Sequence, residues 1–426
     1  MSPQTISEKI LSAHIGHDVY AGDVIICPVD RVIGTDASSP MTIDYFEQMG
    51  GATLFDPAKV MFAFDHYAPA VTESTRGFHA RVREFAGRFG AELHDEGSGI
   101  SFQRAAELGR VLPGDVVIGA DSHTVTCGAL NLFAIGVGSS DLAAAMITGK
   151  IWLRVPESIK VVITGRLIAG VSAKDVALQL VREIGAEGAD YQTLEFHGEG
   201  IASLSMDDRL VLCNLAVEAG AKAAIFPCDA ITREYLEPRS SKLGASVGAD
   251  ADARYSGIVA VDLSAMTPRV ALPHAPTNVV PIEQAIGTPV QMVFIGTCTG
   301  GRVNDFHDAL RVLELAGRSI FPGVQLVLTP ASREVADILD SDGTFARFRA
   351  MGATITATGC GACCGTSGVI PGDNVNVLST ANRNFKARMG NASANIYLAS
   401  PIACAAAAAA GYIVDPRSIM TARTAN

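Results

Sequence analysis

Three cysteines on glycine-rich stretches carry the clearest chemical potential in the chain. Cys298 lies in Gly296-Thr-Cys-Thr-Gly-Gly-Arg302, and Cys360 and Cys363 lie in Gly359-Cys-Gly-Ala-Cys-Cys-Gly365. Each follows an apolar, β-prone run, which places the sulfurs on loops at strand ends. Three soft ligands, one fewer than the usual four, are what a four-iron, four-sulfur cluster would use if one iron were left open for a substrate oxygen. That count points to catalysis rather than electron transfer. A Cys-x-x-Cys pair by itself also serves structural zinc and thiol redox chemistry. Zinc would want a fourth Cys or His at short spacing, and only Cys364 follows, adjacent and expected to point elsewhere. A redox pair should open a helix, whereas Gly361, Gly365 and Gly368 favour an open loop.

Two acid–base groupings accompany the thiols: Asp65-His66 and Asp121-Ser122-His123. An adjacent carboxylate can orient an imidazole and stabilise its charged form, which suits proton donation. Taken singly, such pairs are more often surface or capping residues on loops.

The elements that must position these groups read as strand, glycine-rich or polar loop, then amphipathic helix, a pattern of parallel or mixed sheets covered by helices. Strands are expected at 59 to 64, 115 to 119, 159 to 164, 290 to 295 and 353 to 358. In such sheets ligands gather beyond the carboxyl ends of strands, and four of these runs lead directly into Asp65-His66, Asp121-Ser122-His123, Cys298 and Cys360. Ser172 caps a helix through Ile184, Ser205 opens another ending at Gly220, and the alanine-rich run to Ala410 starts behind Ser400-Pro401 and stops at Gly411. Domain boundaries are weakly marked; Pro156 and the stretch from Pro268 to Pro276 divide the chain into units of 1–156, 157–276 and 277–426.

With 426 residues, 48% hydrophobic and 18% charged, the chain can bury more than one core. A formal charge of −11 without a basic run argues against nucleic-acid binding, although a few arginines in a cleft could still hold a small anion. Nine cysteines, several within apolar runs, fit a reducing, cytoplasmic setting better than a disulfide scaffold. No stretch approaches the roughly 18 apolar residues of a membrane helix.

Taken together, Phe64-Asp-His66, Gly119-Ala-Asp-Ser-His-Thr124, Gly136-Val-Gly138, Pro273-His274, Gly296-Thr-Cys298, Cys360-Gly-Ala-Cys363 and Asn382-Arg-Asn-Phe385 resemble the aconitase superfamily, nearest the large subunits of 3-isopropylmalate dehydratase and homoaconitase. The resemblance covers nearly the whole chain. It implies three α/β/α subdomains around a central cleft, and a four-iron, four-sulfur (4Fe-4S) cluster on Cys298, Cys360 and Cys363. The implied reaction is reversible dehydration of a small anionic 2-hydroxy acid. His66 would be the donor to the leaving hydroxyl, with Asp65, Asp121, Ser122 and His123 lining the site. Glu195 matches the glutamate that contacts oxygen at the open iron, Arg383 and Arg388 match carboxylate-binding arginines, and Gln103 belongs to a substrate-binding stretch.

Two departures stand out: Phe102 replaces the usual His before Gln103, and Gly300 replaces the usual Asn. They favour altered substrate contacts, with maleate, citraconate or a dimethylmalate as alternatives to a 3-isopropylmalate type of acid. A non-catalytic iron-sulfur regulator that binds RNA is a third reading, disfavoured by the acidic balance. Single-chain aconitases carry a swivelling fourth domain with the catalytic base. This chain ends before such a domain, so the resemblance implies a separate small subunit.

Overall fold

The computed structural model describes residues 2–317 and 319–421. Its strands form three larger sheets, in chain order. The first is fully parallel, with spatial order Glu92–His94, Val60–Ala63, Arg31–Thr35, Val116–Gly119, Phe133–Gly136. The second is also parallel: Ala223–Ile225, Thr193–His197, Ser158–Thr164, Gly257–Asp262. In the third, Asn395–Ala399, Asn376–Ser379, Met292–Gly296, Gln325–Thr329 and Thr354–Ile355 run parallel. Arg269–Ala271 and Val279–Pro281 add an antiparallel edge to it, so this sheet begins within the proline-rich stretch, ahead of residue 277. Central strands such as Val60–Ala63, Val116–Gly119 and Met292–Gly296 are buried at every position, as parallel strands covered on both faces must be.

Helix ends follow local chemistry. Ser172 with Asp175, and Ser205 with Asp208, form reciprocal caps in which each side chain satisfies the other residue's free amide. The helix after Ser205 ends at Ala216, and a tighter turn, Val217–Ala219, leads to Gly220. Pro401–Ala410 is buried almost throughout and packs on Val303–Ala316, small side chains letting the two helices close against the third sheet. The strand expected at 353 to 358 pairs only at Thr354–Ile355, because the chain then turns at Gly359, whose N–H donates to Pro330 O at 3.1 Å. An antiparallel ribbon, Val24–Pro28 against Lys150–Arg154, lies outside the three sheets. No described helix is long and apolar enough to cross a membrane.

Candidate active site

Asp36, Asp65-His66, Asp121-Ser122-His123, Cys298 and Cys360 all sit just past strands of the first and third sheets. The loops are tied to one another by backbone. Cys360 N–H donates to Asp65 O at 2.9 Å, and Thr366 Oγ1 donates to His66 O at 2.6 Å. Gly359 makes the approach possible, since its φ is +136° and a Cβ there would stand 2.8 Å from Asp65 O. Thr297, just before Cys298, is held at φ +68°, a strained conformation for a β-branched residue that re-aims the chain as it leaves the strand.

The thiols fit an iron-sulfur cluster better than one metal ion. All nine cysteines are free. Among the described residues, the only tight set of metal-capable atoms, all within 4.8 Å of one another, is Asp65, His66 and Cys360. The sulfurs of Cys298, Cys360 and Cys363 are therefore spread more widely than the ligands of a tetrahedral zinc, whose Zn–S bonds are about 2.3 Å. They nevertheless border one space. The Asn382 amide donates to Cys298 Sγ at 3.4 Å while its Oδ1 lies 3.6 Å from Cys363 Sγ, and Arg388 Nη2 reaches Cys363 Sγ at 3.8 Å. Such donors favour bridging or metal-bound sulfur. Burial raises the Cys298 thiol to about 12 and Cys360 well above its ordinary value, so neither is a ready nucleophile without a cationic group beside it. Cys364 faces Thr366 Oγ1 at 2.8 Å. Beneath the Asn382 loop, the buried Lys174 ammonium donates to Thr380 O and Ala381 O at 2.8 Å each, and burial lowers its pKa to about 8.

Next to the thiols lies a chain of ionisable groups. His66 Nδ1 is 2.6 Å from Asp65 Oδ1, and its Nε2 is 3.6 Å from Asp121 Oδ2. Burial opposes a charged His66, but Asp65 and Asp121 outweigh it and hold the pKa well above 6.5. Burial likewise opposes a charged Asp121, and His123 and His66 overcome it, leaving a depressed pKa. Asp36 grips the loop from below, accepting from His66 N at 2.9 Å and Tyr67 N at 2.8 Å. His123 Nε2 is 3.0 Å from Glu218 Oε1, and Arg383 Nε reaches the same oxygen at 2.8 Å while Nη2 donates to Ser122 Oγ at 3.1 Å. Arg388 keeps its Nε without a partner.

Two residues anticipated for the site are placed otherwise. Glu195 is fully buried at the start of helix Ile6–Ile15, accepting from Ile6 N, Ser7 N, Ser7 Oγ and Ser158 Oγ between 2.9 and 3.1 Å. Its negative charge satisfies a helix N-terminus and has no contact with the histidines or thiols of the site. Gln103 is engaged by Arg302 Nε at 3.1 Å and donates to Glu107 at 2.9 Å; Arg302 itself is buried with Nη1 and Nη2 unpartnered. The carboxylate that does join the cluster, Glu218, went unnoticed in the sequence. Its signal was a lone acid among Leu215, Ala216, Val217 and Ala219 at a helix C-terminal end, where the helix dipole disfavours negative charge. Phe102 lies in the apolar cluster that includes Cys127 and Cys298. At Gly300 a Cβ would overlap Thr380 Cβ and Oγ1, so Thr380 fills the space a larger residue would take.

A mixed α/β scaffold thus brings thiols, paired acid–base groups and arginines together at strand ends, an arrangement suited to acid–base chemistry on a small anion. The chain belongs to the Aconitase family (aconitate hydratase), whose sequence profile it matches over residues 8–411. It is 43% identical over 415 residues to "3-isopropylmalate dehydratase large subunit 1" of Methanopyrus kandleri, spanning 97% of this chain and 99% of that one. Similar values hold for "3-isopropylmalate dehydratase large subunit 1" of Thermotoga maritima, 43% identical with 97% and 99% covered. The large subunit from Wolinella succinogenes is 42% identical, with 98% and 100% covered. The crystal structure of Thermococcus kodakaraensis aconitase X in its holo form shares the fold at a TM-score of 0.51 and 13% identity, covering 90% of this chain and 94% of that one. The protein is accordingly a hydro-lyase of a family characterised by iron-sulfur dependence.

Proposed function

We propose that Cys298, Cys360 and Cys363 hold a four-iron, four-sulfur cluster, and that the chain works with a small subunit, as the relatives' name "large subunit" suggests. The observation that carries this reading is the convergence of separated sulfurs on Asn382 beside a doubly supported His66. When bound, a cluster with one iron free of protein ligands would act as a Lewis acid toward the substrate hydroxyl, whose departure as hydroxide is otherwise opposed by water's pKa of ~15.7.

The chain's own residues supply the rest. Asp65 takes the Nδ1 proton of His66 in a hydrogen bond, which leaves Nε2–H directed toward Asp121 and the cleft as the proton donor to the leaving oxygen. Asp121 keeps that imidazolium charged and, through the His123 amide at 2.7 Å, fixes the second histidine's loop. Arg383 and Arg388 clamp substrate carboxylates, with Glu218 and Ser122 setting the plane of the Arg383 guanidinium. The base that removes the carbon-bound proton comes from the small subunit. Three subdomains, of about residues 1–156, 157–276 and 277–426, complete this reading; the separation of the strands into three larger sheets supports it.

The test is turnover by the anaerobically purified complex of this chain with the small subunit from the same source. Hydration and dehydration would be followed through ultraviolet absorbance of the unsaturated acid, across 3-isopropylmalate, dimethylmalate, citraconate and maleate. Conversion of 3-isopropylmalate in preference to the others is expected. Preference for one of the smaller acids would reassign the substrate, and no turnover of any would refute the reading.

A further inference from the structure

The antiparallel ribbon presents an outer face that nothing among the described residues covers. Val24, Ile26 and Trp152 are 72%, 67% and 66% exposed, and Ile26 pairs directly with Trp152. Strict alternation commits the opposite face to the core, where Ile25, Cys27, Ile151 and Leu153 are buried, so the ribbon cannot turn these groups inward. A contiguous patch of this kind marks a contact surface. Lys150 and Arg154 flank it on the same face, and neither strand of the ribbon contains an Asp or Glu, in a chain whose net charge is −11.

Trp152 also walls a groove of about 560 Å³ that extends to Ser122, the residue whose hydroxyl accepts from Arg383 in the active site. Tyr191 also lines the groove. Its backbone sits at φ +56°, and its ring packs under Arg154 at 5.1 Å and near Lys222 at 5.5 Å. The apolar ribbon is thus continuous, through this groove, with Ser122 at the margin of the catalytic cluster.

We propose that this ribbon face and groove seat the small subunit, which meets Ile26 and Trp152 with apolar side chains and Lys150 and Arg154 with carboxylates. The assignment rests on the reading that a separate small subunit completes the site. A partner that delivers a base near Arg383 must cover surface continuous with Ser122, and this face has that continuity. It also has the apolar centre and charged rim of a specific interface.

Trp152 is the only tryptophan in the chain, so its emission reports directly on burial of the face. Anaerobic titration with the small subunit, any tryptophan of which is replaced by phenylalanine, should shift the emission to the blue. Ile26→Lys and Trp152→Asp should each weaken assembly by about tenfold or more, with unchanged iron content and thermal unfolding, and with turnover restored at saturating small subunit. Assembly of both variants at wild-type affinity, alongside normal wild-type turnover, would overturn the docking assignment and leave the hydro-lyase reading standing. A blue shift on self-association of this chain alone, abolished by the same variants, would make the face a contact between copies and overturn it as well. A wild-type chain that turns over alone and binds no small subunit would remove both this assignment and the two-subunit reading.

Discussion

The backbone N–H of Cys360 donates to the carbonyl of Asp65 at 2.9 Å, so the loop of a proposed cluster ligand and the loop of the proposed proton donor are one mechanical unit. Gly359 permits that bond. Gly359→Val would place a Cβ 2.8 Å from the Asp65 carbonyl on a backbone at φ +136°, a strain of about 1–3 kcal/mol before any clash is counted. Iron content and turnover should fall together, and a variant with wild-type values of both would show that the two loops are independent.

His66→Asn should lower kcat by roughly 10²–10⁴-fold with iron content retained, the range for loss of a positioned general acid. Asp65→Asn should give a smaller loss of the same kind, because it removes the partner 2.6 Å from Nδ1 and leaves the imidazole in place. Unchanged kcat in His66→Asn would remove that histidine from the proton transfer.

Arg383 and His123 share one oxygen of Glu218, at 2.8 and 3.0 Å. Glu218→Gln should therefore raise KM by about tenfold, with iron unchanged, by releasing the guanidinium from its fixed plane. Arg383→Lys should raise it further, since an ammonium cannot make the two parallel hydrogen bonds a carboxylate receives from arginine. Steady-state kinetics on the assembled enzyme separates these from kcat effects.

Below the His66 loop, His79 lies between Asp36 at 3.0 Å and Glu96 at 2.7 Å. Burial opposes both charges of the His79–Asp36 pair, yet their hydrogen bond prevails, raising the His79 pKa and lowering that of Asp36. The raised histidine stabilises the fold fully below its unfolded pKa of ~6.5 and ceases to as pH climbs through its folded value. The depressed aspartate stabilises above ~3.9 and ceases to as pH falls through its folded value. The His79–Asp36 pair therefore contributes most between about pH 4 and 6.5. Asp36→Asn should cost about 3–5 kcal/mol near pH 6 and lose less than wild type on acidification to pH 3. Urea midpoints measured across pH check this, and parallel curves for the two proteins would contradict it.

Much of the scaffold was legible because short buried strands followed by glycines or capping residues leave a local record. Four of the anticipated strand ends carry Asp65-His66, Asp121-Ser122-His123, Cys298 and Cys360, and Ser172, Ser205 and Ser400 cap the helices they announce. What failed was long-range. Glu195 reads as a strand residue, and nothing near it in sequence reveals that a helix start 188 residues away occupies its carboxylate. Asp36 was invisible for the same reason and Glu218 left only the mark of a lone acid in an apolar run; each joins the site through contacts the fold creates. The ribbon alternates cleanly, but alternation says which residues share a face and not that the face is left uncovered.

The most direct test of the account is iron and acid-labile sulfide in the anaerobically purified chain, beside Cys360→Ser. The account predicts about four of each per chain, falling to roughly three irons after exposure to air, with both iron and activity largely lost in the variant. Stoichiometric zinc without sulfide, or an intact and fully active cluster in Cys360→Ser, would contradict it.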